Sequence, residues 1–167
     1  MNRLFLALPA MLDDYDALQK DFSGVISGRW IPSDNLHMTL SFFGKRFEKE
    51  ILIESLEDFK IEIKPSEIRG LGYFKKSRIL YATVENPDLE AVYRNVNMFF
   101  DMPVKENFLP HVTLMRIKKV VDAKVFYHQL HAYREHYLGS LGSKAELMQS
   151  ELHPDGARYA LIKRFHG

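Results

Sequence analysis

Short apolar runs and helical spacings follow one another along the chain in an irregular order. Arg3-Leu4-Phe5-Leu6-Ala7-Leu8 predicts a buried strand stopped by Pro9. From Leu12 to Ile26, the residues Leu12, Tyr15, Leu18, Phe22 and Val25 recur at spacings of three and four. That predicts a helix with one apolar face, and Gly28 closes the region. Trp30-Ile31 predicts a short strand and Pro32-Ser33-Asp34-Asn35 a turn. Leu36 to Phe43 predicts a strand ended by Gly44, and Phe47 to Phe59 returns to helical spacing. Ile61-Glu62-Ile63, Glu67 to Phe74 and Ile79 to Val84 predict strands, the last two joined by the basic turn Lys75-Lys76-Ser77. Pro87-Asp88 opens a helix to about Phe100, with Pro where its missing donor costs little. Phe108 to Ile117 predicts a strand and Asp122 to Tyr133 a helix. Tyr137 to Phe165 predicts two or three strands, with a hairpin turn at His153-Pro154-Asp155-Gly156. Strands and helices in such an order predict an α+β fold.

The chain has 167 residues, which suits one compact domain over 1–167 with two lobes. Its net charge of +1 is not the basic excess of a protein that coats nucleic acid. A protein that handles only the end of a strand needs no such excess. The absence of cysteine excludes a disulfide framework, a thiol nucleophile and a thiolate metal site, and it fits the cytoplasm. Met1 to Pro9 lacks a signal-peptide cleavage pattern, and no apolar stretch approaches the roughly 18 residues of a membrane span. No membrane association is expected.

One internal echo changes the picture. His-x-Thr-Leu occurs at His37-Met38-Thr39-Leu40 and again at His111-Val112-Thr113-Leu114, once in each half and each time on a predicted strand. Alternate side chains of a strand share a face. His37, Thr39 and Ser41 therefore point one way and Met38, Leu40 and Phe42 the other. His111 and Thr113 are likewise opposed to Val112 and Leu114. Two similar lobes facing each other would bring the motifs together across a cleft. Such a set suits the cleavage of a cyclic phosphodiester by water. One imidazole takes the water proton and the other protonates the departing oxygen, both at neutral pH. The threonine hydroxyls donate hydrogen bonds to the non-bridging oxygens. This chemistry requires no metal and no cofactor.

At these residues the chain resembles the 2H phosphoesterase superfamily, and more narrowly the bacterial and archaeal RNA 2′,3′-cyclic phosphodiesterases, also called 2′–5′ RNA ligase or LigT-like proteins. The resemblance runs from Arg3-Leu4-Phe5-Leu6-Ala7-Leu8 through Asn35 to Gly44, then Gly72-Tyr73-Phe74, Arg78 to Ala82 and Pro110 to Arg116. It ends on Leu147 to Leu152 and Gly156-Ala157-Arg158-Tyr159. It implies a bilobal, pseudo-two-fold fold of two antiparallel sheets facing a central cleft, with helices outside. It also implies hydrolysis of an RNA 2′,3′-cyclic phosphate to a 2′-phosphomonoester, with His37 as proton donor and His111 as proton acceptor. The near symmetry of the motifs leaves those two roles open on the residues alone. Expected partners are RNA ends or nucleoside 2′,3′-cyclic phosphates, tRNA fragments included, acted on by a monomer. Alternatives are a 2′–5′ RNA ligase or phosphodiesterase, and a nucleotide-binding module without turnover.

Further candidates surround this pair. Arg116 follows the second motif and suits a phosphate, yet strict alternation sends it to the face opposite His111 unless a bulge turns it back. Ser41, Arg78 and Tyr81 are candidate phosphate or substrate contacts. Lys75, Lys76 and Arg78 form the densest basic turn, and Phe74 and Tyr81 are candidates for stacking on a base. Lys118-Lys119 form a smaller basic pair. His128 and His131 share a predicted helix face near His136, and these three are expected to be surface histidines rather than metal ligands.

Overall fold

The computed structural model describes residues 3–166. The elements run β1 (Arg3–Leu12), α1 (Tyr15–Asp21), β2 (Ile26–Trp30), a 3-10 turn (Ser33–Asn35), β3 (His37–Gly44), α2 (Lys49–Asp58), β4 (Ser66–Phe74) and β5 (Ile79–Glu85). They continue as α3 (Leu89–Phe99), β6 (His111–Val120), α4 (Ala123–Ala132), β7 (Tyr137–Leu141), β8 (Glu146–His153) and β9 (Gly156–Arg164). The fold is α+β, and every strand pairing is antiparallel.

Two sheets share one strand. The first has the order β3-β1-β8-β9 and the second β2-β6-β5-β4-β7. Arg3 to Pro9 of β1 pair within the first sheet, whereas Ala10 to Leu12 pair with β7 of the second. Pro9 therefore does not stop the strand. It sits where β1 changes partners, so its missing N–H falls at the break between two ladders. Pro9 still contributes its carbonyl, which accepts from Gly142 N at 2.7 Å.

The predicted helix over 12–26 is helical only in its middle. Leu12 is still paired with Gly139, Asp14 has φ 54°, and Ile26 already pairs with Val120. The apolar face is nonetheless real: Tyr15, Leu18, Phe22 and Val25 are all buried. Gly28 lies inside β2 rather than at a boundary. A Cβ there would collide with the Arg116 carbonyl, so only glycine lets β2 approach β6 this closely. Ile61 and Ile63 are buried but lie outside any strand. The strand predicted from Phe108 begins at His111, and Phe108 instead stacks on Tyr93 of α3 with centroids 3.8 Å apart.

Buried residues of both sheets and of the helices join in one apolar cluster that runs from Leu4 to Phe165. Met38, Leu40 and Phe43 of β3, with Val112, Leu114 and Met115 of β6, turn into that cluster. Burying both motif strands on this side leaves His37 and His111 on the opposite side. α3 packs on β3 and α4 on β4. Among the described residues no helix is long and apolar enough to cross a membrane.

Candidate active site

Both motif strands depart from strict alternation at the same place. Opposite β1, Leu6 pairs with Ser41 and Ala7 with Thr39, so Leu40 is an extra residue on β3. Opposite β5, Leu80 pairs with Met115 and Tyr81 with Thr113, so Leu114 is an extra residue on β6. Each is a β-bulge, which reverses the facing of every residue beyond it. On β6 the reversal brings Arg116 to the side of Thr113, the outcome that strict alternation did not allow. On β3 it exchanges Ser41 and Phe42. Ser41 is 3% exposed and donates to Asn97 Oδ1 at 2.7 Å, whereas Phe42 is 53% exposed and faces the cleft. Ser41 thus leaves the side of His37 and Thr39 and is bonded to Asn97 in the wall of the cavity that also takes in His111, and Phe42 stands where the pseudo-symmetry puts Arg116 on the other strand.

The two imidazoles are held alike. His37 Nδ1 donates to the Asn35 carbonyl at 2.7 Å, and His111 Nδ1 donates to the Leu109 carbonyl at 2.8 Å. A carbonyl can only accept, so Nδ1 carries a proton and Nε2 is the reactive nitrogen in both rings. His37 Nε2 lies 3.0 Å from Thr39 Oγ1. Each ring is also braced by two aromatic side chains. Phe5 and Tyr159 stand 5.0 and 5.3 Å from His37, and Phe74 and Tyr81 stand 5.1 and 5.7 Å from His111.

Burial pushes His37 below its ordinary pKa, against the pull of the Asn35 carbonyl, and His111 pushes it the same way. Burial likewise lowers His111, opposed by the Leu109 carbonyl and reinforced by the charge of Lys105. Each histidine thus sees a different neighbour, although their sequence motifs are nearly identical.

Two cavities meet at Thr39. One of about 190 Å³ takes in His37, Thr39, Phe42, Thr113, Arg116 and Tyr159, so it joins both motifs. The other, of about 880 Å³, takes in Thr39 and His111 with Phe74, Phe108, Lys76 and Lys105. Two candidate contacts, Arg78 and Tyr81, fall elsewhere or act differently, and two of the three clustered histidines pack on their own neighbours. Arg78 Nη1 donates to the Lys118 carbonyl at 2.8 Å, so this side chain is tied down on β6 and Lys76 faces the large cavity instead. Tyr81 lies under Phe74, with stacked rings 4.1 Å apart, and packs over Gly72, where a Cβ would collide with it. It supports His111 and leaves Phe74 as the member of the pair that lines the large cavity. His131 binds the Arg134 guanidinium and His136 packs edge-on against Tyr133.

Asn35, Phe5, Tyr159 and Asn97 also shape the site and carry no motif of their own. Asn97 Nδ2 donates to the Leu40 carbonyl at 2.9 Å and to the Tyr93 carbonyl at 2.7 Å. The one signal for it in the sequence is a polar residue on the apolar face of α3, between Tyr93 and Phe100.

A model of the LigT like phosphoesterase family matches residues 7–81. The chain is 30% identical over 166 residues to the RNA 2′,3′-cyclic phosphodiesterase of Aquifex aeolicus, covering 90% of this chain and 88% of that protein. It is 27% identical over 177 residues to the protein of the same name from Methanocaldococcus jannaschii, covering 98% and 99%. The crystal structure of a Thermus thermophilus protein superposes with a TM-score of 0.69 at 24% identity, over 98% of this chain and 96% of that one. The chain belongs to the LigT-like phosphoesterase family.

Proposed function

We propose that this protein is an RNA 2′,3′-cyclic phosphodiesterase in which His37 and His111 are the catalytic acid and base. The observation that carries this reading is the cavity shared by both His-x-Thr strands, with His37, Thr39, Thr113 and Arg116 around it. His111 Nε2 takes a proton from water while the water oxygen bonds to phosphorus. The bond from phosphorus to O3′ breaks, and His37 Nε2–H protonates O3′, leaving a 2′-phosphomonoester and a 3′-hydroxyl. Thr39, Thr113 and Arg116 hold the non-bridging oxygens, where negative charge grows in the transition state.

Two local differences support this division of roles. Burial first, with the charge of Lys105 added to it, disfavours a charged His111, which suits a base, and His37 is lowered by burial as well but has His111 rather than a lysine as its charged neighbour. A protonated His37 has two acceptors, the Asn35 carbonyl and Thr39 Oγ1. In the free site the Nε2–H of a protonated His37 rests on Thr39 Oγ1, and the departing O3′ replaces Thr39 as its acceptor when the cyclic phosphate is bound. All these groups come from one chain, which supports a monomer over 1–167 as the working unit, acting on RNA ends, tRNA fragments among them, in the cytoplasm.

A second reading has its own support. The cavity of about 880 Å³ beside His111 is far larger than one water needs. A nucleoside 5′-hydroxyl placed there could replace the water and lose its proton to His111, with O3′ again leaving to His37. The product is then a 2′–5′ phosphodiester. One experiment separates the readings: an RNA ending in a 2′,3′-cyclic phosphate is incubated with the protein, with and without a 5′-hydroxyl fragment, and followed by ³¹P NMR. A 2′-phosphomonoester in both samples supports hydrolysis. A 2′–5′ diester that needs the fragment supports ligation, and binding without turnover refutes both.

A further inference from the structure

Arg116 lines a second space besides the cavity it shares with His37. On the outer side of β6 it borders an open groove of about 590 Å³, together with Ser27, Gly28, Arg29, Ile117 and Lys118. Arg29 and Arg116 are direct register partners on β2 and β6. Directly opposed side chains lie on one face with Cβ atoms about 4.5–5.5 Å apart, and like charges there repel. Lys118, two residues beyond Arg116, adds a third cation along the same groove. Among the described residues none of these three is ion-paired with a carboxylate. Asp155, beside the β8–β9 turn, is engaged by Arg158 at 3.4 Å.

The surrounding backbone favours this crowding. Gly28 allows the close approach of β2 to β6, and the register there skips Lys118, which has no partner on β2. Arg29 reaches the tip of the β8–β9 hairpin, where a Cβ on Gly156 would stand 3.0 Å from its Nη1. The net charge of the whole chain is only +1, so this is a local concentration of positive charge that begins at the candidate phosphate site.

We infer that Arg29, with Lys118 and the outer side of Arg116, binds the phosphodiester on the 5′ side of the reacting end, so that the substrate is an RNA strand rather than a mononucleotide. The inference rests on the phosphodiesterase reading above for its direction. With His37 protonating O3′, the ribose and the strand attached to it lie on the His37 side. Arg116 is the residue that joins that side to the groove. An anionic strand laid along it relieves the repulsion between the paired arginines, and each phosphate bound there makes the association salt-dependent.

The test compares kcat/KM for a nucleoside 2′,3′-cyclic phosphate with that for a tetranucleotide ending in the same group, in the native protein, Arg29→Ala and Arg29→Lys. The native protein is expected to favour the tetranucleotide roughly tenfold or more, as a charge-assisted contact would. Arg29→Ala should bring that ratio to within about twofold, and Arg29→Lys should restore much of it. A native ratio near one, or a ratio untouched in Arg29→Ala, overturns the inference while leaving the phosphodiesterase reading intact. If neither compound is hydrolysed, that reading fails and binding decides this one. Fluorescence anisotropy of a labelled tetranucleotide ending in a 2′-phosphate should then show about tenfold weaker binding to Arg29→Ala. The slope of log K against log salt should also be smaller by about 0.7 per lost contact. Equal binding and equal slopes overturn it.

Discussion

Leu40 and Leu114 hold the same position in the two halves of the site, and each has its carbonyl claimed by a side chain from a helix. Asn97 of α3 donates to the Leu40 carbonyl at 2.9 Å, and the Tyr15 hydroxyl of α1 donates at 3.2 Å to the Leu114 carbonyl, which also accepts from Ile31 N at 2.7 Å. A bulge leaves backbone groups out of the ladder, and a buried carbonyl without a partner is costly. Asn97 therefore stabilises the β3 irregularity, while on β6 the Ile31 N–H and the Tyr15 hydroxyl share that task.

Replacing Asn97 by Leu should be among the most damaging changes outside the cleft. It leaves the Leu40 and Tyr93 carbonyls and the Ser41 hydroxyl without their partner at a buried position. Urea unfolding should show a loss of about 3 kcal/mol. Tyr15→Phe removes one shared proton, which is bonded to the Ile31 carbonyl at 2.7 Å as well as to Leu114, and should cost about 1–2 kcal/mol.

Gly72→Ala should lower activity while sparing most of the fold. The new methyl meets the Tyr81 ring, which is stacked on Phe74, and both rings brace His111. Displacing that support misaligns His111 Nε2, and kcat should fall by roughly 10- to 100-fold. A steady-state comparison with the native protein checks this. An unchanged kcat would mean that the aromatic brace does not position the ring.

Stability should decline on the acid side because of the same histidines. Burial holds both pKa values below the ordinary value of about 6.5, so the unfolded chain takes up protons before the folded one does. Their contribution is present above pH 6.5 and is lost as pH falls from there toward the folded values. Thermal melts from pH 7.5 to 5 should show this decline, and it should be shallower in the His37→Gln/His111→Gln double variant.

The motif pair, the α+β class and most element positions are legible in the residues because they rest on local patterns. Met38, Leu40, Val112 and Leu114 are apolar in the pattern and buried in the fold. The facing of Arg116, Ser41 and Phe42 was not legible, because a bulge is decided by the neighbouring strand and by Asn97 and Tyr15 from distant helices. Pro9 misleads for a related reason: whether proline ends a strand depends on whether its N–H was needed, and here β1 changes sheets at that residue. Phe5 and Tyr159 look like ordinary strand aromatics until the first sheet brings them to His37.

Thr39 should matter more than Thr113. It is the hydroxyl bonded to His37 Nε2 and it lines both cavities. Thr39→Val keeps the shape and removes the hydroxyl, and should reduce kcat/KM by about 10²-fold, with a smaller loss for Thr113→Val.

The most direct test of the acid–base pair is the pH dependence of kcat/KM on an RNA 2′,3′-cyclic phosphate for the native protein and for His37→Ala and His111→Ala. The native profile should be a bell centred below about pH 6.5, since both imidazoles are held below that value. Each variant should lose activity by about 10²–10⁴-fold. The residual rate of His37→Ala should no longer fall at high pH, and that of His111→Ala should no longer fall at low pH. If either variant keeps near-native activity, or both keep the full bell, His37 and His111 are not the proton donor and acceptor.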